Sequence, residues 1–178
     1  VDIPETFQVR FETSRGNFTI EAHRDWAPLG AERFLLLVKD KFFDGARFFR
    51  IVPNYVIQFG LAADPAMTKK WDKKMKDDYL LRTNGLGTVA FAQTGDTESR
   101  TTQIFINIKS NQNLDEQGFA PFGKVIDGMD IVNRLYPGYR EQPNQEQIKK
   151  RGNAYLNESF PKLDYIKKAV LLATEEKK

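Results

Sequence analysis

The chain contains no cysteine and only one histidine in its 178 residues. The first absence excludes disulfides and thiol chemistry, and it removes redox usage as a guide to compartment. The second excludes a typical zinc site and any histidine-based triad. His23 stands at a strand end beside Arg24 and Asp25 and reads as a surface residue. Long apolar runs are missing as well. None approaches the ~20 residues that span a bilayer, so no membrane partner is expected. Carboxylates such as Asp64, Asp77 and Asp78 follow no EF-hand pattern, and Gly85 and Gly87 read as turn glycines, not a phosphate cradle. No cofactor and no metal are expected. An initiator Met is also absent from the opening Val1-Asp2-Ile3-Pro4. With the lack of cysteine, this tilts the expectation toward a soluble, exported protein shorn of its signal, the cytoplasm being the alternative.

What remains describes an ordinary globular chain. Hydrophobic residues make up 40% and charged residues 29%, enough of each for one domain over 1–178 with a core of its own. The net charge is only +3, and much of the excess lies in one segment: Lys69, Lys70, Lys73, Lys74 and Lys76, interleaved with Asp72, Asp77 and Asp78. A nucleic-acid footprint would need a basic stripe with aromatic stacking residues and little acid nearby. A solvated charged loop is the better reading, and no nucleic-acid partner is expected.

Hydrophobic periodicity supplies the elements. Phe7, Val9 and Phe11 alternate with polar residues, as do Phe18, Ile20 and Ala22, around the turn chemistry of Thr13-Ser14-Arg15-Gly16. Ala31, Phe34, Leu35 and Val38 then fall at helical spacing after Pro28, predicting a helix that ends near Lys39-Asp40. Strands are expected over 47–52, 56–60, 87–93, 103–108, 122–126 and 165–173. Residues 61–84 form a polar excursion with a short helix near 67–75. Asp127 is a candidate N-cap for a helix over 128–135. Residues 137–163 read as an irregular extension with one weak helical stretch at 145–150, and Glu175–Lys178 as a charged tail. Many short strands and two well-marked helices argue for an all-β closed architecture.

Within this frame the run Phe48-Phe49-Arg50-Ile51-Val52-Pro53-Asn54-Tyr55-Val56-Ile57-Gln58-Phe59-Gly60 is unusual. Arginine is seldom buried unpaired, so Arg50 must meet a partner or emerge into a groove. Strand alternation puts Arg50 and Gln58 on one face of an unbroken strand, but Pro53-Asn54 calls for a turn or bulge. A second run, Phe91-Ala92-Gln93-Thr94-Gly95 followed by Thr102-Gln103-Ile104-Phe105-Ile106, again places a glutamine beside a large aromatic in an apolar strand.

These runs, with Leu114-Asp115, Phe122-Gly123-Lys124-Val125 and Gly128-Met129, stand in the order and near the spacing of one family from about residue 7 to residue 136. The chain resembles the cyclophilin peptidyl-prolyl cis–trans isomerases. The resemblance implies a closed eight-stranded antiparallel β-barrel capped by two α-helices, with a binding groove on its outside. It also implies catalysis of rotation about X–Pro bonds in flexible or unfolded protein clients, without a cofactor, from a monomer.

The chemistry such a site needs is modest. The amide barrier is ~18–20 kcal/mol, and lowering it by ~5–7 kcal/mol accelerates rotation by roughly four to five powers of ten. As the bond twists, the proline nitrogen recovers a lone pair, so a fixed donor aimed there stabilises the transition state selectively. By motif position Arg50 is that donor, with Gln58 as its catalytic partner; the bland alternative is an arginine in a structural ion pair. Gln103 matches the second family glutamine. Phe105, Tyr55, Val56 and Leu114 are the expected proline-pocket walls, with Phe91 at the groove border and Phe119 filling the space of a missing groove histidine. Ala92 and Gln93 match a pair whose backbone holds the peptide. The apolar pocket residues could instead be barrel core, and Gln58 and Gln103 satisfied sheet glutamines. Three features depart from the family pattern: Phe49 where histidine often precedes the arginine, Asn113 where drug-sensitive members carry tryptophan, and a loop over 115–121 one residue longer than usual. They weaken the expectation of cyclosporin-type binding but leave the donor in place. Rival readings are a proline-peptide binding module or holdase with little turnover, and an adaptor working through the Lys69–Lys76 cluster.

Overall fold

The computed structural model describes residues 3–175; the opening Val1-Asp2 and most of the charged tail lie outside them. Eight strands are joined into one antiparallel sheet: β1 (Thr6–Thr13), β2 (Gly16–His23), β3 (Arg50–Val52), β4 (Val56–Phe59), β5 (Thr88–Phe91), β6 (Ile104–Asn107), β7 (Gly123–Asp127) and β8 (Ile166–Glu175). Their spatial order is β3-β4-β6-β5-β7-β2-β1-β8. The alternation read from the sequence is realised in β1, where Phe7, Val9, Phe11 and Thr13 are buried and their neighbours half-exposed. The inward side chains form rows across the sheet, because directly paired residues share a face. One such row runs Ile51, Ile57, Ile106, Val89 and Gly123 through β3, β4, β6, β5 and β7.

Phenylalanine fills the interior. Phe11 stacks on Phe18 at 5.1 Å and meets Phe43 and Phe59 edge-on at 5.6 and 5.7 Å. Helix α1 (Pro28–Lys39) lays Ala31, Phe34, Leu35 and Val38 against this cluster, starting on a proline whose absent N–H costs a first turn nothing.

Three sequence expectations are corrected. The sheet is curled but open between named strands, with β3 and β8 at its edges. What joins them is an isolated bridge, Arg47–Tyr165, flanked by hydrogen bonds from Ile166 N–H to Ala46 C=O (2.8 Å) and from Phe48 N–H to Asp164 C=O (3.1 Å). The strand predicted from residue 47 therefore begins only at Arg50. Second, the described residues carry five α-helices, where the family resemblance implied a two-helix cap and the sequence added short stretches near 67–75 and at 145–150. Besides α1 these are α2 (Pro65–Lys70), α3 (Met129–Val132), α4 (Gln145–Arg151) and α5 (Asn153–Ser159). The extension, read as irregular apart from a weak helical stretch at 145–150, thus contains two helices, of which α4 is capped by Asn144, whose side chain accepts the Gln147 N–H. Ile148 and Leu156 from these helices form a separate apolar cluster with Phe49, Leu61 and Leu163. Third, Asp127 does not cap α3. Gly128 holds that position at φ 82°, in the left-handed region where glycine is unstrained.

The polar excursion is also firmer than a solvated loop. Its lysines are exposed, but the Asp78 side chain is 2% exposed and accepts the Leu29 and Gly30 N–H groups at the start of α1. It pairs there with Arg100, 4% exposed, whose guanidinium also reaches Asp77 and the Lys76 carbonyl.

Candidate functional site

Sheet pairing also builds an outer row. Arg50 stands opposite Gln58 in the β3–β4 hairpin, Gln58 opposite Phe105 on β6, and Phe105 opposite Ala90 on β5. All four therefore project to the same, outward face. Arg50 and Gln58 share that face as cross-strand partners, not as residues of one strand. The chain reverses between them, with Tyr55 N–H donating to Val52 C=O at 3.0 Å and Asn54 in the left-handed region at φ 59°. Pro53 and Asn54 suit the two central positions of such a turn. Gly60, at φ 113°, ends β4 against β6; a Cβ there would lie 2.7 Å from Gln103 Cα and collide with the Thr102 carbonyl. Only glycine lets Gln103 approach Gln58.

The polar side chains of this face form one continuous chain. Arg50 Nη1 donates to Gln58 Oε1 at 2.9 Å, and Gln58 Nε2 to Gln103 Oε1 at 2.6 Å. Gln103 Nε2 donates to Gln145 Oε1 at 3.2 Å. At the other end, Arg50 Nε and Nη2 both donate to Glu141 Oε1, at 2.9 and 2.6 Å. Both sequence readings of Arg50 are thus realised together: it opens onto a groove and it carries an ion pair. Gln58 is buried, which fixes its amide, while the Arg50 side chain keeps 30% exposure.

Beside this chain lies a cavity of about 620 Å³. Tyr55, Val56, Phe105, Leu114 and Phe119 give it apolar walls, and Phe105 and Phe119 meet edge-to-face at 5.3 Å. Ala92, Gln93 and Gln103 line it as well, so ten of the eleven residues singled out from the sequence surround one opening. Phe91 is the exception. It faces inward, 1% exposed, packed on Phe122 at 5.2 Å. Its neighbour Ala90 occupies the groove face opposite Phe105, and strand alternation turns the next side chain to the core.

Sequence reasoning missed Glu141, Gln145 and Lys149, which the extension brings to the groove, and Lys74 from the excursion. The Asn144 cap followed by Gln145-Glu146-Gln147-Ile148 was the available signal for α4. Asn113 donates to the Tyr55 hydroxyl at 3.2 Å, and Asn111 to the Tyr55 carbonyl at 2.9 Å, steadying the turn that presents Tyr55. His23 lies elsewhere, paired with Glu21 and stacked on Trp26. Among the described residues no three His, Cys, Asp or Glu side chains are grouped to hold a metal ion, and no helix is long and apolar enough to cross a membrane.

A family model for cyclophilin type peptidyl-prolyl cis-trans isomerases matches residues 8–153. A peptidyl-prolyl cis-trans isomerase of Acinetobacter baylyi is 37% identical over 135 residues, covering 71% of this chain and 70% of its own. Peptidyl-prolyl cis-trans isomerase B of Escherichia coli is 32% identical over 139 residues, covering 71% and 82%. In fold, the chain is similar to a cyclophilin of Cryptosporidium parvum crystallised with the dipeptide Ala-Pro, at a TM-score of 0.70 and 20% identity over 94% of this chain and 99% of that one. The chain belongs to the cyclophilin-type peptidyl-prolyl cis-trans isomerases, enzymes that catalyse rotation about prolyl bonds and assist protein folding.

Proposed function

We propose that Arg50 is the catalytic donor and that the adjoining apolar cavity receives the proline ring of the substrate. Support comes from one observation above the rest: a guanidinium at the rim of the pocket walled by Phe105, Leu114 and Tyr55, its orientation held by the buried Gln58. An arginine offers five N–H donors. Three are engaged by Gln58 and Glu141, which leaves two for a substrate. As the X–Pro bond twists, one of these donates to the proline nitrogen, an acceptor that the planar ground state does not offer. A guanidinium donor needs no activating base.

Gln58 fixes the donor, and Gln103 fixes Gln58. Val56 and Phe119 complete the grip on the ring. Ala92 N–H already donates to the Gln103 carbonyl at 2.9 Å, so the strand-like hold on the peptide runs through the Gln93 backbone and the Ala92 carbonyl. Clients are proline-containing segments of flexible or unfolded proteins, met by one isomerase unit acting as a monomer.

The test is a protease-coupled assay on a short Ala-Pro peptide. Arg50→Ala should lower kcat/KM by about a hundredfold or more, as loss of one preorganised donor does elsewhere, while peptide binding followed by titration persists. Equal rates for both proteins would remove Arg50 from the mechanism.

A further inference from the structure

From the hydrogen-bond chain across the groove we infer that Glu141 is a positioning residue for catalysis: it holds one edge of the Arg50 guanidinium so that the remaining donors face the proline nitrogen. This rests on the assignment of Arg50 as the donor. The contact is built, not incidental. Glu141 Oε1 takes both Nε–H and Nη2–H of Arg50, at 2.9 and 2.6 Å, and Gln58 takes Nη1–H from the adjacent side. A planar fork gripped at two of its edges has no freedom to rotate about its last side-chain bonds.

The backbone places Glu141 as deliberately as the sheet places Gln58. Ile51 N–H, next to Arg50, donates to the Arg140 carbonyl at 3.1 Å, so the extension is registered on the outer edge of β3. Arg140 itself takes φ 49°, a left-handed conformation that few non-glycine residues adopt. The turn is anchored from behind. Tyr139 packs edge-on against Tyr136 at 5.3 Å and Phe160 at 5.0 Å, and its hydroxyl accepts the Lys162 N–H. Four residues after Glu141, Gln145 accepts from Gln103. The polar chain that includes Arg50, Gln58 and Gln103 therefore begins and ends on the same extension.

Stability does not account for the pair. The Glu141 side chain is 59% exposed, and ion pairs at such exposure add little to folding. What the contact supplies is geometry, and catalysis depends on donors held in place before the bond twists.

The experiment compares wild type, Glu141→Ala, Arg50→Ala and the double variant, each confirmed folded by its urea midpoint. Turnover of an Ala-Pro peptide is read by NMR exchange at enzyme concentrations high enough to register the Arg50→Ala residual. Glu141→Ala is expected to lower kcat about five- to tenfold, leave KM within about twofold, and add nothing in the Arg50→Ala background. The Arg50 Nε–H resonance, slow to exchange in wild type, should broaden or vanish. Wild-type kcat in Glu141→Ala, a rise in KM alone, or a loss that persists without Arg50 would overturn the inference. Full activity in Arg50→Ala would instead refute the donor assignment beneath it.

Discussion

Asp78→Ala is the sharpest test of how the groove is supported. The residue lies in a lysine-rich, outwardly polar excursion, where substitutions ordinarily change stability by less than about 0.5 kcal/mol. Its own side chain is only 2% exposed and faces Arg100 at 3.2 Å. Removing one partner of a buried ion pair costs roughly 3–5 kcal/mol, because the other charge stays desolvated. Asp77, 3.7 Å from Arg100 and partly exposed, compensates some of that. The same carboxylate accepts two N–H groups at the start of α1, at 3.0 and 2.8 Å, a capping role worth about 1 kcal/mol. Together these give a loss of about 3–4 kcal/mol. For a chain of this size that corresponds to roughly 10 °C in Tm. Urea unfolding followed by circular dichroism measures the loss directly. In an Arg100→Met background, where no charge is left stranded, Asp78→Ala should cost about 2 kcal/mol less. A single-variant loss under about 1 kcal/mol, or equal losses in both backgrounds, would refute the reasoning and return the excursion to the status of a solvated loop.

Two further outcomes follow from the same geometry. Burial pushes the Asp115 carboxyl up, but hydrogen bonds from Thr83 and from the Asn84 side chain and backbone outweigh it and hold the group below its ordinary value of 3.8. A depressed folded-state value means the unfolded chain binds the proton first, so this stabilisation is present above about pH 4 and is lost as pH falls through the folded value. The stability gap between wild type and Asp115→Asn should therefore shrink as pH falls below about 4, read from urea midpoints; a constant gap would contradict it. Phe49→Ala empties the centre of the cluster formed with Leu61, Ile148, Leu156 and Leu163 and should cost about 3–5 kcal/mol. Amide exchange in α4 should rise more than in β1, and unchanged α4 protection would show that this cluster does not hold the helix.

The outward and inward faces were legible wherever alternation met an unbroken strand, as in Phe7, Val9 and Phe11. The site was legible through motif position in the family the chain resembles, and the structure supplies the reason: Arg50, Gln58, Gln103 and Phe105 are brought together by sheet pairing, and a glycine at 60 permits their contact. Phe91 was misplaced because motif position was given precedence over alternation. Had Phe105 been fixed on the groove, its cross-strand partner Ala90 would have claimed that face and sent Phe91 inward. In the excursion and the extension the short helices near 67–75 and at 145–150 were legible but their packing was not, for a different reason. Their burial comes from long-range partners, Asp78 with Arg100 and Ile148 with Phe49, which no local period announces.

The extension also gives Phe49 a structural role. That side chain is 1% exposed and packs under α4 and α5, where a histidine would have to bury a ring N–H among aliphatic groups at a cost of ~1–3 kcal/mol unless it found a partner. Phe49 thus serves as an apolar floor for the two helices after residue 144, and the segment leading into them delivers Glu141 to Arg50. On this reasoning Phe49→His should loosen the extension, read as faster amide exchange in α4, without raising turnover, because the Arg50 guanidinium is already held by Gln58 and Glu141; a rise in kcat with unchanged α4 protection would contradict it.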